Sequence, residues 1–251
     1  MVVFKVNMNL EKDMVTLVIG GSGSLGSVVV ETLSKSHENL IFSYYKNEKK
    51  ACEIESNFHC HKINLDLKDF ASFEPIVKNI ERDFAPIGNL IFCSSYNYGN
   101  EGSKFFETTL SMWDEANDVD VKGQYFFSQI VARAMAKRKI GKITFTGSVS
   151  AIKNLPSPSL FTMNKSAITG LMKSLSKELS QFNILVNSVD PGLLEGGISN
   201  SISDTIKNDY KTHSCLNRLG KFQEIANIIN WIASNKNTYL VGQSVVADGG
   251  I

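Results

Sequence analysis

Short apolar runs alternate with longer amphipathic stretches along most of the chain. The runs have the length of strands and occur at 15–19, 40–44, 62–65, 89–93, 142–146, 184–189 and 244–247. Between them, apolar residues recur with helical spacing at 25–36, 48–56, 70–84, 112–139, 160–181 and 222–233. This alternation predicts strands and helices in turn.

The strands are apolar at nearly every position rather than at every second one, as in Val15-Thr16-Leu17-Val18-Ile19. Strands of this kind are buried on both faces and run parallel in α/β proteins. We therefore predict a Rossmann-like, doubly wound α/β fold: a seven-stranded parallel sheet with helices on both faces, in a single domain. Such a sheet binds ligands beyond the carboxyl ends of its strands.

The predicted domain comprises residues 14–251, preceded by a short N-terminal extension at 1–13. Met1, Met8 and Met14 are each candidates for the start of translation. Residues 191–217 form the one long stretch without clear periodicity. Because it is longer than a usual connection from strand to helix, we expect it to be a substrate lid.

Composition narrows the class of protein. The 251 residues are 43% hydrophobic, which suits one domain with ample core, and 26 basic residues balance 25 acidic ones. Charge thus gives no indication of a nucleic-acid or membrane partner. No apolar run approaches the ~20 residues that cross a bilayer, and no signal peptide is recognised. The four cysteines have neither metal-site nor disulfide-framework spacing, which predicts reduced thiols, no metal and a cytoplasmic location.

A glycine-rich turn joins the first strand to the first helix. Glycines in this position allow a tight turn and close approach of a pyrophosphate to the helix N–H groups. The order strand, glycines, helix makes a dinucleotide site more specific than the glycines alone, although a plain structural turn is the alternative. The candidate cofactor residues here are Gly20, Ser22, Gly23, Ser24, Leu25 and Gly26.

The end of the second strand bears on the choice of cofactor. The segment Ser43-Tyr44-Tyr45-Lys46-Asn47 has no acidic residue, which would bind a ribose 2′-hydroxyl and repel a 2′-phosphate. With Lys46 nearby, we expect NADP(H) rather than NAD(H). A solvated loop lysine explains Lys46 equally well.

With these pieces and several further segments, the chain from Val15 to Ile251 resembles the short-chain dehydrogenase/reductase family, and within it the 3-oxoacyl-carrier-protein reductases. Asp66 and Leu67 lie where the family contacts adenine, and Pro191 and Gly192 lie in its segment beside the nicotinamide. The other matching segments are Trp113–Gly123, Arg218–Gly220, Gly242-Gln243 and Ala247–Gly250.

The resemblance implies hydride transfer to a carbonyl carbon. A serine then hydrogen-bonds the oxygen, a tyrosine protonates it, and a lysine holds the ribose and lowers the tyrosine pKa. Ser148 and Lys165 occupy the serine and lysine positions, but Phe161 occupies the position of the tyrosine and Asp120 that of a helix asparagine. Since a phenyl ring has no acidic proton, Phe161 is expected to shape the site without taking part in catalysis.

Other departures concern the cofactor turn and the fourth strand. Ile19 and Ser24 replace a threonine and a glycine, and Cys93-Ser94-Ser95-Tyr96 replaces Asn-Asn-Ala-Gly. Two roles are open for Asp120: an ion pair or proton relay near Lys165, or an ordinary ion-paired acid. Candidates for another proton donor, each with a simple lining or core role as the alternative, are Tyr96, Tyr98, His213 and Cys215.

Three functions remain open. The first is an NADP(H)-dependent reductase of a carbonyl or conjugated enone, with a ketoacyl-like small molecule or acyl thioester as substrate and a non-standard proton source. The second is a dehydratase or isomerase that reuses the pocket. The third is a non-catalytic subunit, since the resemblance implies a homotetramer or homodimer built on helices 112–139 and 160–181, or a hetero-oligomer with an active homologue.

Overall fold

The computed structural model describes residues 9–98 and 105–251, and each predicted strand is present in it. All six neighbouring pairs are parallel, in the order β3-β2-β1-β4-β5-β6-β7. The predicted doubly wound α/β sheet is therefore confirmed. The strands are β1 Val15–Ile19, β2 Asn39–Tyr44, β3 His61–Asn64, β4 Ile87–Phe92, β5 Gly141–Thr146, β6 Ile184–Pro191 and β7 Ser244–Ala247.

Helices cover both faces of the sheet and create two apolar cores. Val15, Leu17 and Ile19 of β1 face one core, whereas Val18 faces the other, as the alternation of a strand requires. The first core is completed by α3, α5 and α6, and the second by α1, α2 and α8. The helices are α1 Ser24–Leu33, α2 Glu48–Asn57, α3 Phe73–Asp83, α4 Leu110–Asn117, α5 Gln124–Arg138, α6 Ser159–Ser180, α7 Asp204–His213 and α8 Phe222–Ala233.

Two predicted segments differ from the structure. The expected single helix at 112–139 is divided into α4 and α5 by a π-helical turn, Asp118–Gly123. The expected lid at 191–217 is not irregular throughout, because it contains a 3₁₀ turn, Gly197–Ser201, and α7. Tyr210 is the single buried residue of α7, so this helix lacks the apolar stripe that would have revealed it.

The described part of the predicted N-terminal extension, residues 9–13, packs on the domain. Leu10 is buried, and the Asn39 side chain donates a hydrogen bond to the Lys12 carbonyl (2.7 Å). The Asn235 amide N–H donates to the Glu11 carboxylate (3.0 Å). These contacts tie residues 9–13 both to the start of β2 and to the segment that follows α8.

An ion pair fixes the entry to α8. The guanidinium of Arg218 donates to both carboxylate oxygens of Glu224 (2.6 and 2.8 Å), and the Lys221 N–H donates to the same carboxylate (2.8 Å). Glu224 lies in the first turn of α8, where a negative charge is favourable. The hydrogen bonds from Arg218 and then from Lys221 lower the pKa of Glu224 to about 2.

Replacing Glu224 by glutamine is expected to lower the midpoint of thermal unfolding at neutral pH by at most about 2–4 °C, because both partners are partly exposed. The lowered pKa makes this stabilisation complete above the ordinary carboxyl value of 4.5 and lost as the pH falls towards about 2. The two melting curves should therefore converge on acidification. Glu31→Gln, which removes an exposed pair with Lys35, is the matched control; a constant difference down to pH 2 would contradict the assignment.

Candidate active site

One cavity of about 1270 Å³ opens beyond the carboxyl ends of the central strands. Of the predicted cofactor residues and the residues at the four family catalytic positions, all line it except Gly26 and Asp120, which are buried. The predicted residues that line it are Gly20, Ser22, Gly23, Ser24, Leu25, Lys46, Asp66, Leu67, Ser148, Phe161, Lys165, Pro191 and Gly192. The fold thus brings together segments that are distant in the chain.

Close backbone packing explains the glycines of the first turn. Gly20 has a φ of +80°, and a Cβ there would lie 2.7 Å from the Ser94 nitrogen. A Cβ at Gly26 would lie 2.1 Å from the Gly20 oxygen. Neither position accommodates a side chain, so the turn is held tightly against the start of α1.

This turn fits a dinucleotide pyrophosphate. Gly23 is the N-cap of α1, no side chain caps the helix, and no acidic residue lies in its first turn. The N–H groups at this end therefore remain available for an anion, and the helix dipole favours one. Ser22, Ser24 and Leu25 complete the rim of this part of the cavity.

The cavity continues past the end of β2, where Tyr45 and Lys46 line it. The Lys46 ammonium lies 5.0 Å from the centre of the Tyr45 ring. The nearest acidic residue along the chain, Glu48, accepts a hydrogen bond from the Tyr44 hydroxyl (3.3 Å) and is not among the lining residues. Lys46 is thus the charged residue that the end of β2 itself contributes to the lining, and Asp66 lines the cavity from the end of the neighbouring β3.

Lys165 and Phe161 lie one helical turn apart on α6. The Lys165 ammonium lies 5.8 Å from the centre of the Phe161 ring and donates a hydrogen bond to the Thr146 carbonyl (3.2 Å). Lys165 is only 3% exposed, so its ammonium is held inside the protein at the edge of the cavity and not in bulk solvent. It has no phenol beside it on α6.

Ser148 follows β5 and lines the same region. Its Oγ accepts a hydrogen bond from the Ser150 N–H (3.2 Å) and lies 3.0 Å from the Ser150 Oγ. The hydroxyl keeps one proton to donate, either to the Ser150 Oγ or to a substrate oxygen in the cavity. Ser150 was not predicted as a site residue, because nothing in the sequence distinguishes it from the other serines and its contact with Ser148 is visible only in the structure.

Asp120 lies in the π-helical turn and is fully buried. Its carboxylate accepts three hydrogen bonds, from the Tyr96 N–H (2.7 Å), the Ser95 hydroxyl (3.2 Å) and the Tyr98 hydroxyl (2.7 Å). Among the described residues, no ion pair joins it to Lys165 or to any other cation, so the expectation of an ion-paired acid is wrong for this structure. A carboxylate has only acceptors, and the loop after β4 supplies the donors it requires.

Tyr98 is the second phenol of that loop and packs edge-on against Phe161, with ring centres 5.3 Å apart. Its hydroxyl donates to Asp120 and accepts from the Asn164 amide (3.1 Å). Burial, and then the charge of Asp120, raise the pKa of Tyr98, so it keeps its proton. Tyr96 also lines the cavity, whereas His213 and Cys215 are exposed and do not.

Comparisons with known proteins agree with this geometry. A family model described as enoyl-(acyl carrier protein) reductase matches residues 20–251. The 3-oxoacyl-[acyl-carrier-protein] reductase of Aquifex aeolicus is 28% identical, over 94% of this chain and 96% of that protein. An NADP(+)-dependent L-rhamnose 1-dehydrogenase of Thermoplasma acidophilum is also 28% identical, over 94% of each chain.

Solved structures share the fold over almost its full length. A short-chain dehydrogenase/reductase from Serratia marcescens superposes with a TM-score of 0.84 at 25% identity, covering 96% of this chain and 98% of that one. A gluconate 5-dehydrogenase from Burkholderia cenocepacia, in complex with NADP and tartrate, superposes with a TM-score of 0.86 at 19% identity, covering 96% of each. Relatives of this fold thus act on both acyl and sugar substrates, so the relatives alone leave the substrate of this chain open.

Proposed function

The chain belongs to the short-chain dehydrogenase/reductase family, and on that premise we propose that it is an NADP(H)-dependent reductase of a carbonyl or conjugated enone. The observation that carries the proposal is one cavity lined by the uncapped end of α1, Ser148 and Lys165. When bound, the nicotinamide supplies the hydride.

In this proposal the cofactor binds in the part of the cavity that is lined by the glycine turn, Lys46, Asp66 and Leu67. The α1 N–H groups and the turn from Gly20 to Leu25 hold the pyrophosphate, and Asp66 and Leu67 border the adenine. Lys46 attracts a 2′-phosphate, since the end of β2 carries no acidic residue that would bind a free 2′-hydroxyl instead. Lys165 holds the ribose next to the nicotinamide, since its ammonium needs no phenol to donate hydrogen bonds.

The substrate oxygen is held by Ser148 in the same scheme. The Ser150 amide N–H holds the Ser148 oxygen in place, and the rotatable Ser148 hydroxyl donates its proton to the substrate oxygen in this proposal. Phe161 offers no proton, and the Tyr98 proton is committed to Asp120. In this proposal water supplies the final proton, and a conjugated C=C bond suits this site better than an isolated carbonyl, because its reduction does not require a dedicated acid at the oxygen.

The test combines binding with turnover. NADPH is expected to bind more tightly than NADH, by at least about tenfold if the 2′-phosphate forms one charge-assisted contact, as measured by nicotinamide fluorescence. Loss of absorbance at 340 nm should follow on addition of an enoyl or 3-oxoacyl thioester. Binding of NADPH with no turnover over a broad enone and ketone panel would exclude the reductase and favour a non-catalytic subunit. Turnover without added cofactor would instead identify a dehydratase or isomerase.

We further propose that the chain forms a homo-oligomer through α4 and α5. Large apolar side chains of these two helices are exposed, among them Leu110 (83%), Trp113 (44%) and Phe126 (43%). Several large exposed apolar side chains on neighbouring elements favour a contact site in a soluble protein. Multi-angle light scattering at micromolar concentration gives the mass directly, and a monomer there would exclude the proposal.

No helix of the described residues is long and apolar enough to cross a membrane.

A further inference from the structure

Apolar side chains from several distant segments of the chain line the cavity. They include Leu155 from the loop after Ser148, Phe161 from α6, Leu193 and Ile206 from the lid region, and Ile251. Sugars are recognised by many polar partners, whereas the surface of this cavity as a whole is more apolar than polar, although several serines also line it. The cavity is therefore better suited to an apolar acyl chain or ring than to a polyol.

Ile251 reaches this lining because the segment 248–251 is held by the loop that carries Ser148. The Lys153 ammonium contacts the Asp248 carboxylate (2.6 Å) and donates to the Ile251 carbonyl oxygen. The Asp248 side chain is only 8% exposed, so solvent screens this pair less than it would a surface pair. The Gly250 N–H also donates to Asp248 (2.9 Å), which closes a tight turn.

Two further contacts fix the same segment from the lid side. The Tyr210 hydroxyl of α7 donates to the Asp248 carbonyl (2.7 Å), and the Leu216 N–H donates to the Gly249 carbonyl (3.1 Å). Gly250 has a φ of +81°, and a Cβ there would lie 2.9 Å from the Cys215 Cβ. Three separate parts of the chain thus determine where Ile251 lies.

We propose that Ile251 is a specificity-determining residue that limits the length of apolar substrate in the cavity, and that Lys153 is the residue that positions it. The inference rests on the proposed function only in taking this cavity as the substrate site. Lys153 does not bind substrate in this scheme, because its ammonium is already shared between the Asp248 carboxylate and the Ile251 oxygen. Ile251 is one of the residues that line the cavity, and in this proposal its side chain opposes the far end of the substrate.

The test uses ligands that cannot be reduced: saturated N-acetylcysteamine thioesters of 4, 8 and 12 carbons (about the range of acyl lengths that probes one pocket wall). Their dissociation constants are measured by calorimetry with NADP⁺ present, on the full chain. Ile251→Ala is expected to favour the longest chain over the shortest by at least about tenfold more than the wild type does, and Ile251→Trp to shift this ratio the opposite way. Dissociation constants for NADPH should stay unchanged in both variants.

Lys153 is tested in the same series. Lys153→Met should reproduce the length profile of Ile251→Ala, and Lys153→Arg, which keeps a donor for both acceptors, should restore that of the wild type. An identical profile in wild type and both Ile251 variants, including no binding by any of them, would overturn the inference. Altered profiles without turnover of any reducible substrate would sink the proposed reductase function and leave the role of Ile251 standing.

Discussion

Replacing Phe161 by tyrosine is expected to raise the rate of reduction of a 3-oxoacyl thioester by about 10²–10⁴-fold, the usual contribution of a positioned general acid. The Phe161 ring lies on α6 one turn from Lys165, whose ammonium is 5.8 Å from the ring centre. A hydroxyl on this ring gains a cation nearby that lowers its pKa. Position 161 and Ser148 line the same cavity, so both can face one substrate. Steady-state assays with NADPH measure the gain.

A matched control separates chemistry from packing. Phe161→Leu changes the shape of the same wall without adding an acid, so it should give no gain in rate. The Tyr98 ring packs edge-on against Phe161, and the same contact is available to a tyrosine ring at position 161. If Phe161→Tyr binds NADPH as the wild type does but reduces no 3-oxoacyl thioester faster, the missing phenol is not what limits the reaction.

Asp120→Leu is expected to lower the free energy of unfolding by about 3–5 kcal/mol, because leucine has a similar shape but accepts no hydrogen bond. The Tyr96 N–H and the Tyr98 and Ser95 hydroxyls would lose their acceptor, and Asp120 is fully buried. In a domain of this size the midpoint of thermal unfolding should fall by about 6–20 °C. Asp120→Asn should cost only about 1–2 kcal/mol, since the amide oxygen still accepts one bond and the hydroxyls can rotate.

A double-mutant cycle tests whether Tyr98 carries part of that cost. Tyr98→Phe removes the hydroxyl that would be left buried without its acceptor. In the double variant Asp120→Leu/Tyr98→Phe, stability should recover by about 1–3 kcal/mol relative to the sum of the single changes. Additive effects in urea titrations would show that the Tyr98–Asp120 contact contributes nothing specific.

The sheet could be predicted because its strands are apolar at almost every position. In β1 the predicted bounds are those observed, and elsewhere the differences are small: β4 begins at Ile87 and β6 continues to Pro191. The helix α7 could not be predicted, since only Tyr210 is buried in it and an exposed helix has no periodic apolar face. The π-helical turn could not be predicted either, because one extra residue in a helical turn needs no particular residue type and leaves no pattern in the sequence.

Local sequence patterns predicted much of the cavity lining, but they did not predict the hydrogen bonds and ion pairs that join distant segments around it. Motifs identified the glycine turn, Ser148 and Lys165, each from neighbouring residues. The Asp120 contacts span 22 to 25 residues, and the Lys153 contacts span 95 and 98. Contacts at such separations depend on how the sheet brings loops together, so a carboxylate that needs donors does not reveal which donors it will meet.

The π-helical turn has a consequence for how this chain can change. An α-helix advances about 100° per residue, so the extra residue in Asp118–Gly123 sets the rotational phase of α4 relative to α5. Asp120 lies inside that turn, and the aim of its carboxylate depends on the phase. A one-residue deletion there would redirect Asp120 away from the loop after β4. Any change in the length of this turn would therefore have to be matched by a rebuilt loop at 95–98.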